Sequence, residues 1–366
     1  MTQDLGNGGE LSRQAAIART LGSPFVAAIL EAGERNLASA PRTAALIKSW
    51  PGDPAAAALA MRFNAAIHAL ARRGRPHTLR ALYQHEHQDF DDAVAAAMAA
   101  EDDFIASWMR HPPQTNEVCR AGAIMAALAV AQRFFGLPFE LLELGSSAGL
   151  NLNLTRYAYD LGGIPGGTPG SPVRIAPNWF GPPPPSSSVQ VLTARGVDLD
   201  PLDAADETAR ERLLSYIFAD QPARADRLRQ ALLIARQHPP LIERANAVTW
   251  LKDQLSAPHV PGRCRVVFHS MVLQYLDPSD RCALEEALGA AGVLADMDRP
   301  LVRISFEWTA GREEVQLRLT CWPSGETRHI ATCHPYGAWI HWHVGAQAAE
   351  KVPTALTKRD RQLLAD

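Results

Sequence analysis

Residues 139–149, FELLELGSSAG, constrain this chain more than any other stretch. A run of mostly apolar side chains takes in an acid at Glu143, ends at Leu144, and meets a glycine at once; a second glycine follows at 149. The run is too short for an ordinary helix and suits a strand buried on both faces. Gly145 permits a tight turn, and Gly149 a close approach of the backbone to its neighbours. The residues behind it, LNLNLT at 150–155, read as helical. The expectation is a strand–turn–helix junction whose N–H groups form a site for a carboxylate or phosphate.

A strand buried on both faces needs helices on both sides, so the junction also bears on fold class. Before it the chain reads as helical throughout, with apolar residues at helical spacing over 11–21, 25–37, 40–48, 54–73, 90–109 and 116–135. The breaks fall at Gly22-Ser23-Pro24, Pro51-Gly52-Asp53-Pro54 and His111-Pro112-Pro113. After it, strand-like and helical runs alternate, at 189–193, 209–219, 224–237, 245–250, 265–268, 280–288 and 301–306, which predicts a mostly parallel sheet covered by helices. Residues 315–321 and 328–333 flank Trp322-Pro323-Ser324-Gly325, the pattern of an antiparallel hairpin. The Gly- and Pro-rich segment 161–188 reads as an insertion over the surface, with 173–175 as a candidate strand inside it.

Composition excludes several classes of function. With 47% hydrophobic and 20% charged residues, the chain can bury a substantial core. A formal net charge of −3 supplies no positive field for a nucleic-acid backbone. The aliphatic stretch 121–131 is about half a membrane span. The first residues lack the basic and apolar blocks of a signal peptide, and the five cysteines include no CxxC pair, so the expected compartment is cytoplasmic. No metal site is expected: His85 and His87 at i and i+2 lie apart around a helix, and His341 and His343 share a strand face without a third ligand.

Written as Glu143-x-Gly145-x-Ser147-x-Gly149, the turn resembles the first motif of class I S-adenosylmethionine-dependent methyltransferases, an acid followed by three glycines at alternate positions, with Ser147 in the middle place. The NAD-type fingerprint does not fit, because positions 145, 147 and 150 read Gly, Ser and Leu. The resemblance implies S-adenosylmethionine bound across Gly145, Ser146, Ser147 and Gly149, with Glu143 beneath. It implies Asp198, in GVDLDP, on the ribose hydroxyls and Asn246 against adenine. In VVFHSMVLQYL it implies His269 as base, Ser270 at the cofactor and Tyr275 orienting the acceptor, with Glu307 converging on the same strand ends. Asn116, Glu117 and Arg120 serve as cap and ion-pair residues or line the cofactor pocket. A Val at 145 would then enter the cofactor's space and leave the fold intact. Asp198 lies 55 positions after Glu143 (198 − 143), whereas about 20 is usual for a ribose acid. If 173–175 is the second strand, Asp198 is an exposed turn acid instead.

The full order of motifs, GSPF, NEVCR, ELGSSAGLNL, RGVDLDPLD, VVFHSMVLQYL and HPYGAWIHW, resembles one bacterial family catalogued as domain of unknown function 2332. The expected architecture is α/β: a methyltransferase-like (Rossmann-like) doubly wound sheet over residues 116–346 with an antiparallel C-terminal hairpin, preceded by an all-helical cap domain over 1–115 and followed by a tail, 347–366. The expected function is methyl transfer from S-adenosylmethionine to a small or medium molecule; the alternative is a non-catalytic ligand-binding or regulatory protein on the same scaffold. A phosphate-cradling nucleotide enzyme is disfavoured, because no lysine occurs between Lys48 and Lys252.

Overall fold

The computed structural model describes residues 9–20, 22–55 and 57–344; the expected tail at 347–366 lies outside them. In chain order come α1 (Glu10–Thr20), α2 (Pro24–Arg35), α3 (Pro41–Lys48), α4 (Leu59–Arg72), α5 (His77–Tyr83), α6 (Phe90–Met109) and α7 (Arg120–Phe135). Then follow β1 (Phe139–Leu144), β2 (Ala158–Leu161), β3 (Ile164–Gly167), β4 (Arg174–Ile175), β5 (Asn178–Phe180) and β6 (Val191–Asp198). The last part holds α8 (Glu207–Ser215), α9 (Pro222–Gln237), β7 (Leu241–Arg244), α10 (Ala247–Ser256), β8 (Cys264–Ser270), α11 (Pro278–Val293), β9 (Leu301–Trp308), β10 (Val315–Trp322), β11 (Glu326–Cys333) and β12 (Trp339–Trp342).

Within the described residues these elements form two compact units, 9–116 with Leu202–Arg236, and Glu117–Pro201 with 237–344. The helical unit therefore takes in more than the expected residues 1–115. Runs 209–219 and 224–237 are helical as their spacing predicts, but they complete this unit rather than cover the sheet. Phe218 enters its core beside Leu30, Phe63, Ile67 and Leu79, and Arg72 forks onto Glu211 at 2.8 Å through both nitrogens. Buried Arg62 sits at the end of α6, donating to the carbonyls of Met109 and His111 that the helix leaves without intrahelical partners.

His68 lies on the inner side of α4, its ring stacked on Tyr83 at 5.2 Å and its Nδ1 3.1 Å from the Ser215 carbonyl. Burial, with Arg72 nearby, pulls its pKa down to about 4, against the smaller upward pull of the Ser215 and Ile217 carbonyls and Glu211. A folded-state pKa below the unfolded one means that the unfolded chain binds the proton more readily. The associated stability is complete above about pH 6.5 and is lost as pH falls toward 4. Urea unfolding of the wild type should weaken by about 3 kcal/mol across that window, and a His68→Gln chain should show a shallower decline. An identical pH profile in the two proteins would remove His68 from this role.

In the second unit the larger sheet runs β5-β12-β11-β10-β9-β8-β1-β6-β7. β7, β6, β1, β8 and β9 are mutually parallel, and β9 to β12 continue as an antiparallel meander, so the expected hairpin β10–β11 is part of a larger extension. Successive parallel strands first add on one side of β1 and then cross to the other, making a switch point between β1 and β8. Strand alternation sends Leu142 and Leu144 into a cluster with Trp250 and Leu251 of α10 and Leu284 and Leu288 of α11. Glu143 therefore belongs to the opposite face. α7 packs on β8, β9 and β10.

One sequence expectation differs from what is observed, and one is met in a separate sheet. The run 245–250 opens helix α10; the strand is Leu241–Arg244, a mostly exposed edge strand with too few buried positions to announce itself. The candidate strand at 173–175 is β4, which belongs to a separate small sheet β3-β2-β4. The strand beside β1 on the β7 side is β6, and Asp198 ends it.

Candidate functional site

The turn after β1 is built from left-handed backbone. Gly145, Ser147 and Gly149 have φ of +67°, +54° and +64°. A Cβ on Gly145 would lie 2.6 Å from Val272 Cγ2, and one on Gly149 2.7 Å from Pro240 and 2.8 Å from Ile242 Cδ1. Both glycines thus admit the chain's own side chains. This corrects the expectation for residue 145: a valine there would first strike Val272. Ser146 is fully buried, donates its hydroxyl to the Glu143 carbonyl at 3.1 Å, and packs where Gly196 of β6 leaves room. It ties the turn to β6 and is shielded from any ligand. Beyond Gly149 the chain forms a 3-10 helix, Leu150–Arg156, so the expected α-helix N-terminus is absent.

Two acids close the ends of β1 and β6. Glu143 is 2% exposed, and its Oε2 is buried with no hydrogen-bond partner. Burial, reinforced by the negative charge of Asp198, pushes its carboxyl well above the usual range and favours the protonated form. Asn151 Oδ1 is a second buried acceptor without a partner. Asp198 is half-buried; its Oδ2 accepts the Ser147 N–H at 2.8 Å and its Oδ1 the Asp200 N–H at 2.9 Å. Those bonds fix the carboxylate while each oxygen keeps acceptor capacity.

Asn246 has a different task from the one expected. It is exposed, and its Oδ1 accepts the N–H groups of Val248 and Thr249 at 2.9 and 3.1 Å, capping α10, while Nδ2 is 3.4 Å from Asp280. The S/T/D/N preference at helix starts allows this cap, but the same residue type also suits an adenine contact.

Across the switch point, β8 and β9 end in a buried polar cluster. His269 has no exposed surface; its Nδ1 lies 2.6 Å from Glu307 Oε1, and its Nε2 accepts from Arg303 Nε at 3.1 Å. The arginine can only donate, so the imidazole proton resides on Nδ1. Desolvation holds the His269 pKa below the usual value despite Glu307. With both nitrogens engaged and no access, His269 acts on Glu307 rather than on an acceptor. Glu307 Oε1 also accepts the Val272 N–H at 2.9 Å, just past Met271, a non-glycine residue at φ +61°.

Arg120, the first residue of α7, gathers three segments. It donates to the carbonyls of Pro335 at 3.0 Å and Ser270 at 3.3 Å, and lies over the Phe306 ring at 5.8 Å. Burial pulls its pKa down, while Glu117, Tyr336, Glu307 and Tyr275 support the charge. Ser270 therefore reaches the cluster through its backbone. Gly337 fits against the Cys119 backbone, where an added Cβ would lie 2.7 Å from the carbonyl carbon. NEVCR, FHSMV and HPYG, far apart in sequence, meet here. Tyr275, on the 3-10 turn Leu273–Tyr275, is 58% exposed and remains accessible to a ligand.

Among the described residues no group of three His, Cys, Asp or Glu is arranged to hold a metal, and no helix is long and apolar enough to cross a membrane. Comparison with known proteins matches residues 9–342 to the family described as "Uncharacterized protein conserved in bacteria (DUF2332)". No curated protein and no solved structure matches the chain.

Proposed function

From the site of a chain that belongs to the bacterial DUF2332 family, we propose an S-adenosylmethionine-dependent methyltransferase acting on a small or medium molecule, built on a methyltransferase-like doubly wound sheet. The observation that carries this is Glu143: a buried carboxyl with an unpartnered oxygen, at the end of the first parallel strand and beside the switch point, where open sheets of this order take their ligands. Buried polar atoms are seldom left without a partner, so an orphan at a strand end is a reason to expect a ligand group there.

Glu143 and Asp198 support the cofactor reading. Glu143 would meet its amino-acid end, and the anchored Asp198 carboxylate would accept the ribose hydroxyls. Ser147, Gly145 and Gly149 shape the turn, and Asn246 drops out of the adenine role. The bound group supplies an electrophilic methyl carbon. The chain's own contribution is alignment: the His269–Glu307–Val272 bonds hold the backbone after β8, and the exposed Tyr275 would touch an acceptor. The charge balance supports a small acceptor over nucleic acid. The locked state of His269 favours a second reading, a ligand-binding protein without catalysis on the same scaffold.

Calorimetric titration with S-adenosylmethionine and its demethylated product tests both. Saturable binding is expected, weakened by about 1–3 kcal/mol in Asp198→Ala, the range for hydrogen bonds to a charged group. Asp198→Ala also frees the Ser147 N–H, so its melting temperature is measured alongside. No saturable binding to the wild type overturns the cofactor assignment. Binding without methyl transfer across an acceptor panel supports the second reading.

A further inference from the structure

The helical unit holds a cleft of about 560 Å³ walled by α4, α5, α8 and α9, within the size range of small-molecule sites. Its lining includes Arg72, Arg73, Arg80 and Arg229 and no Asp or Glu, in a chain whose net charge is −3. Arg72 and Arg229 are balanced by Glu211 and Asp226. Arg73 packs over the Phe104 ring at 4.7 Å, and among the described residues neither it nor Arg80 makes a side-chain hydrogen bond or ion pair. Elsewhere on this unit Arg19, Arg35 and Arg42 each find a carboxylate. Among the described residues Arg75, Arg110, Arg227 and Arg236 of this unit show no such partner either, so what sets Arg73 and Arg80 apart is that both line one cleft.

The interior supplies a second, independent observation. Tyr83 lines the cleft, clamped between the stacked His68 ring and the edge of Phe25 at 5.0 Å, yet its hydroxyl is buried and has no hydrogen-bond partner. Burial, with Asp220 nearby, pushes its pKa up, so the phenol stays a donor. Leu214, Phe218 and Pro222 give the remaining wall an apolar character. A buried phenol near Asp220, whose Oδ1 is equally without a partner, two unpaired cations and an apolar wall define one kind of occupant. We infer that this cleft binds a small organic oxyanion, a phosphate or carboxylate carried on an apolar or aromatic body, with the anion on Arg73 and Arg80 and an acceptor oxygen on Tyr83. Guanidinium forks suit either oxyanion.

The test uses the full chain and phenyl phosphate, with inorganic phosphate and phenol as the two halves of the probe, followed by calorimetry. Phenyl phosphate is expected to bind saturably with one site per chain and more tightly than either half. Arg80→Ala should raise Kd about tenfold or more, as for loss of a charge-assisted bond, and Tyr83→Phe about two- to tenfold. Arg35→Ala, whose partner Asp91 stands away from the cleft, should leave Kd unchanged. If Arg73→Ala loosens the fold by losing its stacking on Phe104, Arg80→Ala still carries the test, because Arg80 holds nothing in the native chain. Benzoate in place of phenyl phosphate shows which oxyanion is preferred. No saturable binding of phenyl phosphate or benzoate, equal affinity for phenol, or an unchanged Kd in Arg80→Ala overturns the assignment.

Discussion

Replacing Glu307 by alanine is expected to destabilise the α/β unit by about 4 kcal/mol. One carboxylate oxygen, Oε1, receives both the His269 Nδ1–H and the Val272 N–H. Removing it leaves two donors facing a dry interior, each costing about 1–3 kcal/mol. Arg303 prevents an escape by tautomerisation, because its Nε already donates to the other ring nitrogen and would clash with a second N–H. Glu307→Gln keeps a carbonyl oxygen in place and should cost roughly 1 kcal/mol, since it replaces a charged acceptor by a neutral one. Urea unfolding of the two variants checks this. The folded-state pKa of His269 is depressed, so its contribution to stability is lost as pH falls below about 6.5, and the alanine variant, which loses the carboxylate that holds this pKa up, should show a steeper decline. Equal losses in Gln and Ala would mean that the two N–H donors find other partners.

Gly145→Val is expected to cost about 2–5 kcal/mol of stability. A β-branched residue at φ +67° carries a backbone penalty of about 1–2 kcal/mol, and overpacking against Val272 adds about 1–3 kcal/mol. The contributions separate in a double-mutant cycle: Val272→Ala combined with Gly145→Val should recover the overpacking part and leave the backbone part. Thermal unfolding of the four proteins provides the measurement. A Gly145→Val chain as stable as the wild type would show that Val272 moves aside freely.

Much of the fold was legible wherever a local pattern and a tertiary role agree. β1 is apolar because both its faces are covered, and the β10–β11 hairpin carries its own turn residues. β7 was illegible because an exposed four-residue edge strand has no burial period. α8 and α9 read correctly as helices, yet which unit an amphipathic helix joins depends on partners such as Phe63 and Arg72 that lie far away in sequence. Glu143 and Asp198 were legible as strand-end acids, Glu143 by the glycine turn behind it and Asp198 by GVDLDP, 55 positions on. Asn246 misled because a helix cap and an adenine contact call for the same residue type. The burial of His269 follows from Arg303 and Glu307, more than thirty positions downstream, and no local spacing encodes it. Arg120 was noticed as part of a helix start, but its bonds to Ser270 and Pro335 arise only once β8 and the segment after β11 are assembled.

The interleaving of the two units along the chain has a consequence for how the protein can be made and divided. During synthesis, α1 to α6 emerge well before Phe218, and Glu211 reaches Arg72 only after the strands β1 and β6 have been made. A nascent helical unit therefore waits, with part of its core open, until translation has passed Arg236. A fragment cut at Asn116 would keep that opening permanently, and one beginning at Glu117 would carry α8 and α9 with their apolar faces uncovered. Neither half is an independent gene product in waiting.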